Sequence, residues 1–412
     1  MDREAASQIV TNTPQEQVRL HYLDWLRVLA IFMVFLFHSV HPFDFGDWQV
    51  KNFEQSEIIT IILTILGLWG MPFFFLVAGS SSWFALQRRT ARQYISERIK
   101  RLLIPFIVGT MLFSPIQFYL EWKNKVQNGV LSISFQEYVN SKFQPFNPLS
   151  LHYPGITPAW FGFGFHLWFL AFLFFFALFT LPLFRWLKSE SGQDLVRRIA
   201  GFSEKRGGIL FFALPLMLVT FILEPIFPAE HDWGDFIFQM CFFILGYILY
   251  ADPRFTGALR RDWWILLVLG TTLVLCLLGM YLAGFPVMEW SETPYTLEFY
   301  FVHGVVTCIA VCFTLTMLFV GMRFLNFTNR LLQYMQEAIL PFFILHQPVI
   351  VVLAFFVVQW EASIAVKLPV VVLGTFAISI SLYEAVIRHF QPMRALFGMK
   401  TRRPPLVEAA QV

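Results

Sequence analysis

Long runs of apolar residues, separated by short polar segments, recur along the whole chain. A helix rises about 1.5 Å per residue, so runs of roughly 20 residues are long enough to cross the hydrocarbon core of a bilayer. The runs predict helices over about 22–41, 58–86, 102–120, 165–184, 208–228, 235–251, 263–283, 299–320, 336–358 and 364–387. The pattern therefore predicts an all-α polytopic membrane protein with about ten transmembrane helices.

The polar segments between these runs differ in charge from one side of the membrane to the other. With the N-terminus in the cytoplasm, the segments on that side contain 24 of the 30 Lys and Arg residues. Cytoplasmic segments of membrane proteins are enriched in Lys and Arg, so both termini are expected to be cytoplasmic. We expect the chain to divide into a disordered cytoplasmic N-terminal segment (1–20), a transmembrane domain (21–390) and a basic cytoplasmic tail (391–412).

Composition supports the membrane assignment. The chain is 57% hydrophobic and 14% charged, whereas a soluble domain averages about 25% charged residues. The four cysteines all lie in apolar runs, and even Cys308 and Cys312 lack further Cys or His ligands at the local spacing usual for a metal site. We therefore predict no metal, no permanently bound cofactor and no nucleic-acid partner; the lipid bilayer is the expected surroundings.

The first predicted helix carries ionisable residues within an otherwise apolar run. They are Asp24, Arg27, His38 and His41. Such groups are rare at membrane depth and usually functional. Eleven positions separate Arg27 from His38, which is about three helical turns, so both side chains lie on one face roughly 16 Å apart. Asp24 and His41 lie three residues from Arg27 and His38, respectively, and can contact them.

An arginine and a histidine separated by ten residues on the first helix resemble the signature of the acyltransferase 3 family. Other stretches that resemble the family's motifs, in the same order, are Pro72-Phe73-Phe74-Phe75-Leu76-Val77-Ala78-Gly79, Arg98-Ile99-Lys100-Arg101-Leu102-Leu103-Ile104-Pro105, His166-Leu167-Trp168-Phe169-Leu170 and Leu345-His346-Gln347-Pro348-Val349. The last two are most similar to the branch that contains the membrane succinyltransferase of periplasmic glucan synthesis. Members are polytopic O-acyltransferases that modify extracytoplasmic carbohydrates.

This resemblance implies an enzyme of the bacterial inner membrane. It would transfer an acetyl or succinyl group from cytosolic acyl-CoA, its co-substrate, to a hydroxyl of an extracytoplasmic glycan. Catalysis is expected from His38 as general base, because a neutral imidazole can remove the hydroxyl proton as the thioester is attacked. Arg27 would bind phosphate or carbonyl oxygens of the donor, and Asp24 would orient Arg27.

Six further residues are candidates for substrate binding. Arg98 and Arg101 lie at helical spacing on the cytosolic side and suit the phosphates of CoA. Cavity roles are expected for the motif residues His166, Trp168 and His346. Glu298, at the outer start of the eighth predicted helix, is a candidate for binding acceptor hydroxyls.

Simpler interpretations remain for each of these residues. Arg27 could have no role beyond pairing with Asp24 and extending to the membrane interface, and His38 could be a core imidazole bonded to Ser39. The charge bias alone accounts for most of the basic cluster. A secondary transporter could use the face formed by Asp24, Arg27 and His38 as a proton or substrate relay, although the inverted repeats typical of transporters are not visible. A non-catalytic subunit of a polysaccharide machine would tolerate the loss of Arg27 and His38.

Overall fold

The computed structural model describes residues 20–143, 164–228 and 230–400. In chain order its helices are α1 (His21–Val40), α2 (Glu57–Arg88), α3 (Ala91–Gln127), α4 (Phe135–Phe143), α5 (Trp168–Phe179), α6 (Leu181–Trp186), α7 (Glu190–Ser203), α8 (Ala213–Leu223), α9 (Trp233–Ile248), α10 (Pro253–Leu282), α11 (Val287–Ser291), α12 (Leu297–Phe324), α13 (Arg330–Val357), α14 (Ile364–Leu382) and α15 (Gln391–Leu396). These ranges contain no strand.

Seven of the helical segments found in these ranges are long and apolar enough to cross a membrane: His21–Phe43, Glu57–Arg88, Ala91–Gln127, Pro253–Leu282, Leu297–Phe324, Arg330–Val357 and Ile364–Ile387. Three shorter apolar segments, Phe165–Phe179, Gly208–Leu223 and Trp233–Ile248, coincide with the remaining predicted runs. The all-α, multi-pass membrane architecture is therefore confirmed. The count of ten and the cytoplasmic termini stay predictions, and 1–19, 144–163, 229 and 401–412 lie outside the described residues.

The connection predicted over 185–206 contains an additional amphipathic helix, α7. Its N-terminus is capped by Ser189, whose hydroxyl accepts a hydrogen bond from the backbone N–H of Gly192. One face of the helix is buried, through Val196 and Ala200, whereas the opposite face carries exposed charges. This polar face explains why a search for apolar runs misses the helix.

A close helix contact in the core joins α2 to α9 through two glycines. A Cβ atom added at Gly79 would lie 1.8 Å from the carbonyl oxygen of Phe243, and one added at Gly246 would lie 2.0 Å from the carbonyl oxygen of Leu76. Small residues allow helix backbones to approach in this way in membrane proteins. Ser80 adds a hydrogen bond of 3.1 Å to the carbonyl oxygen of Gly246. The contact fixes the position of α2.

The two ends of the bundle differ in charge. The basic end carries Arg27 near the start of α1, together with the arginines that follow α2, and the acidic end carries Asp44, after α1. At the acidic end, Asp44 accepts a hydrogen bond from Lys51, and Nδ1 of His41 lies 2.9 Å from its other carboxylate oxygen. Burial alone would raise the pKa of Asp44, but the contacts with His41 and Lys51 outweigh it and hold the pKa below its ordinary value.

Replacing Asp44 by Asn is expected to lower the free energy of unfolding by about 3 kcal/mol, because the Lys51 ammonium would keep its hydrogen bond to the carbonyl oxygen of His41 but lose its carboxylate partner in a site with little access to water. The Lys51 side chain is only 14% exposed. Thermal unfolding in detergent measures the change. Asp47→Asn is the matched control, since the Asp47 side chain is 85% exposed and its ion pair with Lys125 should contribute little. Equal losses in both variants would contradict the assignment.

Candidate functional site

A cavity of about 720 Å³ opens between α1, α2, α3, α5 and α13 at the basic end of the bundle. Its walls carry more positive than negative side chains. The basic residues are Arg27, Arg88, Arg89, Arg98, Arg101, Arg394 and Lys400, and the acidic residues are Asp24, Glu97 and Glu337. A concave site with this excess of positive charge attracts anionic ligands.

Arg27 faces this cavity from α1. Its Nη1 donates a hydrogen bond of 3.0 Å to Oδ1 of Asp24, and its Nη2 donates to the hydroxyl of Ser81 on α2. The Arg27 side chain is 43% exposed, whereas that of Asp24 is 12% exposed. Arg27 therefore belongs to the cavity wall, and Asp24 and Ser81 fix the direction of its guanidinium.

Arg98 and Arg101 line the cavity from α3. A π-helical turn over Ile99–Leu103 begins directly after Arg98 and contains Arg101, and such turns often occur at functional sites. Arg98 lies over the ring of Tyr94, 4.7 Å from its centroid, and donates to Ser82. Two other cations of the same segment, Arg92 and Lys100, do not line the cavity.

The inner end of the cavity is apolar. It is formed by Ile31, Phe74, Phe169, Leu170 and Phe343, from four different helices. The cavity therefore changes from cationic at its opening to hydrophobic at its inner end. A ligand with a charged head and an uncharged tail would match both parts.

Three histidines predicted from separate motifs meet behind this apolar wall. The ring centroids of His38 and His346 lie 5.5 Å apart, those of His166 and His346 4.8 Å apart, and those of His38 and His166 6.4 Å apart. His346 and His166 are buried, and His38 is half-buried. We call these three residues the histidine cluster.

One backbone carbonyl holds two members of the cluster. The carbonyl oxygen of Phe343 lies 2.9 Å from Nε2 of His166 and 2.6 Å from Nδ1 of His346. A carbonyl oxygen only accepts, so each of these nitrogens carries a proton. In the neutral rings, Nδ1 of His166 and Nε2 of His346 are then acceptors. These two nitrogens and Nδ1 of His38 have no hydrogen-bond partner among the described residues. The cluster thus offers three buried, unpaired ring nitrogens.

Phe343 separates the cluster from the cavity. It lines the cavity, and its ring centroid lies 5.3 Å from that of His166. Arg27 therefore borders the cavity directly, whereas His38 lies outside its wall. The sequence predicted that both side chains lie on one face of the first helix; in the structure Arg27 lines the cavity and His38 does not.

Two predicted binding residues lie away from both features. Trp168 stacks on His231 with ring centroids 4.0 Å apart and does not line the cavity. His231 adopts a positive φ of 62°, and its sequence context gave no signal for this contact. Glu298 is exposed in the first turn of α12 and belongs to neither the cavity nor the histidine cluster. The binding roles of Trp168 and Glu298 stay predictions.

Part of the predicted basic tail folds back onto the cavity. Arg394, on α15, is only 3% exposed, and its Nη2 donates a hydrogen bond of 2.7 Å to Glu337 on α13. The sequence assigned 391–412 to a separate tail and gave no signal for this pair, whose members are 57 residues apart. In the described part of the chain, no group of three or more His, Cys, Asp or Glu residues could hold a metal ion.

Comparisons with known proteins identify the family of this chain. A family model described as an acyltransferase domain, that of acyltransferase 3, matches residues 20–384. Curated relatives called "Glucans biosynthesis protein C", from Salmonella paratyphi A, Salmonella agona and Salmonella dublin, are 24% identical over 413 aligned positions that cover 95% of this chain and 97% of theirs. No solved structure gives a significant match. Because the family model spans most of the sequence and all the motifs above, this chain belongs to the acyltransferase 3 family and is a multi-pass membrane acyltransferase.

Proposed function

We propose that this protein transfers an acyl group from acyl-CoA to a carbohydrate hydroxyl across the bacterial inner membrane, with His38 as general base. The observation that carries the proposal is the cationic cavity whose apolar inner end meets the histidine cluster. The direction of transfer follows from the charge bias, which assigns the basic end of the bundle to the cytoplasm. The acidic end then faces the periplasm.

The donor would enter at the basic end. The phosphates of CoA are anionic, and guanidinium groups bind phosphate oxygens through paired hydrogen bonds. Arg98 and Arg101 are the cavity residues proposed for that contact. The uncharged arm and the thioester would extend past Arg27 towards Phe169 and Phe343, where the wall is apolar. Arg27, already oriented by Asp24 and Ser81, would hold the thioester or phosphate oxygens.

His38 would act at the far side of the Phe343 layer. As the hydroxyl attacks the thioester carbonyl, the imidazole takes the hydroxyl proton, the new ester bond forms and the CoA thiolate leaves and is protonated. The reaction requires a neutral ring with a free nitrogen, and Nδ1 of His38 has no partner among the described residues. A change in the side-chain rotamer of Phe343 would open the contact between donor and base.

The acceptor would reach His38 from the acidic end, and we propose a glucan because the curated relatives carry that word in their name. An aromatic group lies at this end. The ring centroids of Tyr119 and Trp122 are 5.9 Å apart, and Phe135 lies 5.6 Å from Tyr119 and 5.5 Å from Trp122. Tyr119 is 39% exposed. Exposed aromatic rings with a polar edge suit the mixed polar and apolar faces of sugars.

The donor assignment is tested with two pairs of variants. Purified protein in liposomes receives labelled acetyl-CoA or succinyl-CoA and a linear glucan, and released CoA and labelled glucan are measured. We expect Arg98→Ala and Arg101→Ala to raise the KM for acyl-CoA by about 10-fold or more, because each removes a charge-assisted hydrogen bond to phosphate. Arg92→Ala and Lys100→Ala remove charge from the same segment but lie off the cavity, so their KM should change little.

Equal changes in all four variants would show that only the overall positive charge of the segment matters, and would overturn the donor site. Uptake of a solute into the liposomes without release of CoA would instead support a transporter and contradict the proposed reaction. Comparison of the two acyl-CoA donors in the same assay also identifies the transferred group.

A further inference from the structure

A second, smaller cavity of about 170 Å³ lies at the basic end, beside the cationic cavity proposed for acyl-CoA, which we call the donor cavity. Its lining residues come from the end of α2, the start of α3, and the α6 segment with the turn that follows. They are Leu86, Arg89, Ala91, Leu181, Phe184, Arg185 and Lys188. Only Arg89 is shared with the donor cavity. The donor site therefore does not account for this second cavity.

The charges of this cavity are unbalanced. Its lining includes three cationic side chains and no carboxylate. Arg89 donates to Glu97, which lies outside the lining, whereas Arg185 has no hydrogen bond or ion pair among the described residues. Nζ of Lys188 donates a hydrogen bond of 2.7 Å to the carbonyl oxygen of Leu86, and burial lowers its pKa. An anion placed here would contact cations that the protein itself leaves partly unsatisfied.

The surface next to the cavity is apolar. Leu86 and Phe184 form a buried wall, and the neighbouring helices α5 and α6 expose Leu178 (39%), Phe179 (51%) and Trp186 (44%). An exposed tryptophan beside cationic residues is typical of the membrane interface, where aromatic rings lie at headgroup level. A phosphate held by the cations would thus have a hydrocarbon-facing surface beside it, where acyl chains can pack.

We propose that this cavity binds the phosphate headgroup of an anionic phospholipid of the adjacent leaflet. Basic pockets between membrane helices bind lipid headgroups in this manner. The volume of about 170 Å³ admits a phosphate with part of its glycerol. The lipid would contact Arg89, whose side chain also lines the donor cavity. A free phosphate would satisfy the same cations, so the experiment must separate the two sources.

Native mass spectrometry of the purified full-length protein, titrated with dioleoyl phosphatidylglycerol, tests the site. We expect wild-type protein to retain one lipid at a concentration at which Arg185→Gln retains about five-fold less. Arg185 is exposed and makes no bond that the fold needs, so this variant is expected to fold. Lys188→Gln is a second variant. Arg198→Gln is the matched control, because Arg198 is an exposed cation of the same predicted cytoplasmic segment but lies outside the cavity.

The lipid site is supported if lipid retention falls in Arg185→Gln and Lys188→Gln but stays at the wild-type level in Arg198→Gln. Millimolar inorganic phosphate should leave the retention unchanged. Zwitterionic dioleoyl phosphatidylcholine should show no difference among the variants. Equal retention by all variants would overturn the proposal, since binding would then reflect only the overall positive charge. Complete displacement of the lipid by inorganic phosphate would also overturn it, in favour of a soluble anion.

Discussion

Replacing His38 by Ala is expected to lower the rate of acyl transfer by about 10²- to 10⁴-fold, the range that a positioned general base contributes. The imidazole lies in the histidine cluster at 5.5 Å from His346 and 6.4 Å from His166, measured between ring centroids. Nε2 of His166 and Nδ1 of His346 both donate hydrogen bonds to the carbonyl oxygen of Phe343, so neither nitrogen can accept a proton. The remaining ring nitrogens belong to side chains more deeply buried than His38.

His38→Ala should lower kcat without changing the KM for acyl-CoA. His38 does not line the donor cavity, so the KM for acyl-CoA should stay close to that of the unaltered protein while kcat falls. His21→Ala is the control on the same helix, since His21 lies at the basic end and belongs to neither the cavity nor the histidine cluster. Transfer by His38→Ala at the unaltered rate, with the protein folded, would remove His38 as the base.

The parts of this site that are local in sequence were predictable. Helical periodicity places Asp24 and Arg27 in contact, and the structure has that ion pair at 3.0 Å. Charge and hydropathy likewise locate the apolar part of each membrane helix, because burying charge in hydrocarbon is costly. They do not give the ends, since Ala91–Gln127 extends beyond the predicted 102–120 on both sides. Because burying an ionisable side chain in hydrocarbon is costly, His38 was also predictable as a functional residue.

Contacts between distant segments were not predictable from these rules. The resemblance to a family selected His38, His166 and His346, but their convergence depends on how α1, the 3-10 turn before α5 and α13 pack. Phe343 lines the cavity and contacts the rings of His166 and His346, yet in the sequence it is like any other core phenylalanine. The burial of Arg394 against Glu337 had no local signal either, since each is an ordinary surface charge in its own segment.

The glycine contact between α2 and α9 leads to the largest expected loss of stability. Replacing Gly79 by Ala would place its Cβ 1.8 Å from the carbonyl oxygen of Phe243, far closer than two non-bonded atoms can approach. The obstructing atom belongs to a helix backbone, so no side-chain rotation relieves the clash and the two helices must separate. We expect a loss of at least about 3 kcal/mol in the free energy of unfolding, at the upper end for overpacking.

A second glycine on α2 provides a control, because its replacement by Ala should not lower the free energy of unfolding. Gly67 has no atom within 4 Å of an added Cβ, so Gly67→Ala should be neutral or stabilising by about 0.5–1 kcal/mol through helix propensity alone. Thermal unfolding of both variants in detergent measures the difference. Because α2 also carries Ser81 and Phe74 to the donor cavity, Gly79→Ala should lose acyl transfer together with stability. Equal stability of the two variants would show that α2 and α9 do not pack through their backbones, and the position of Ser81 beside Arg27 would then lack its structural basis.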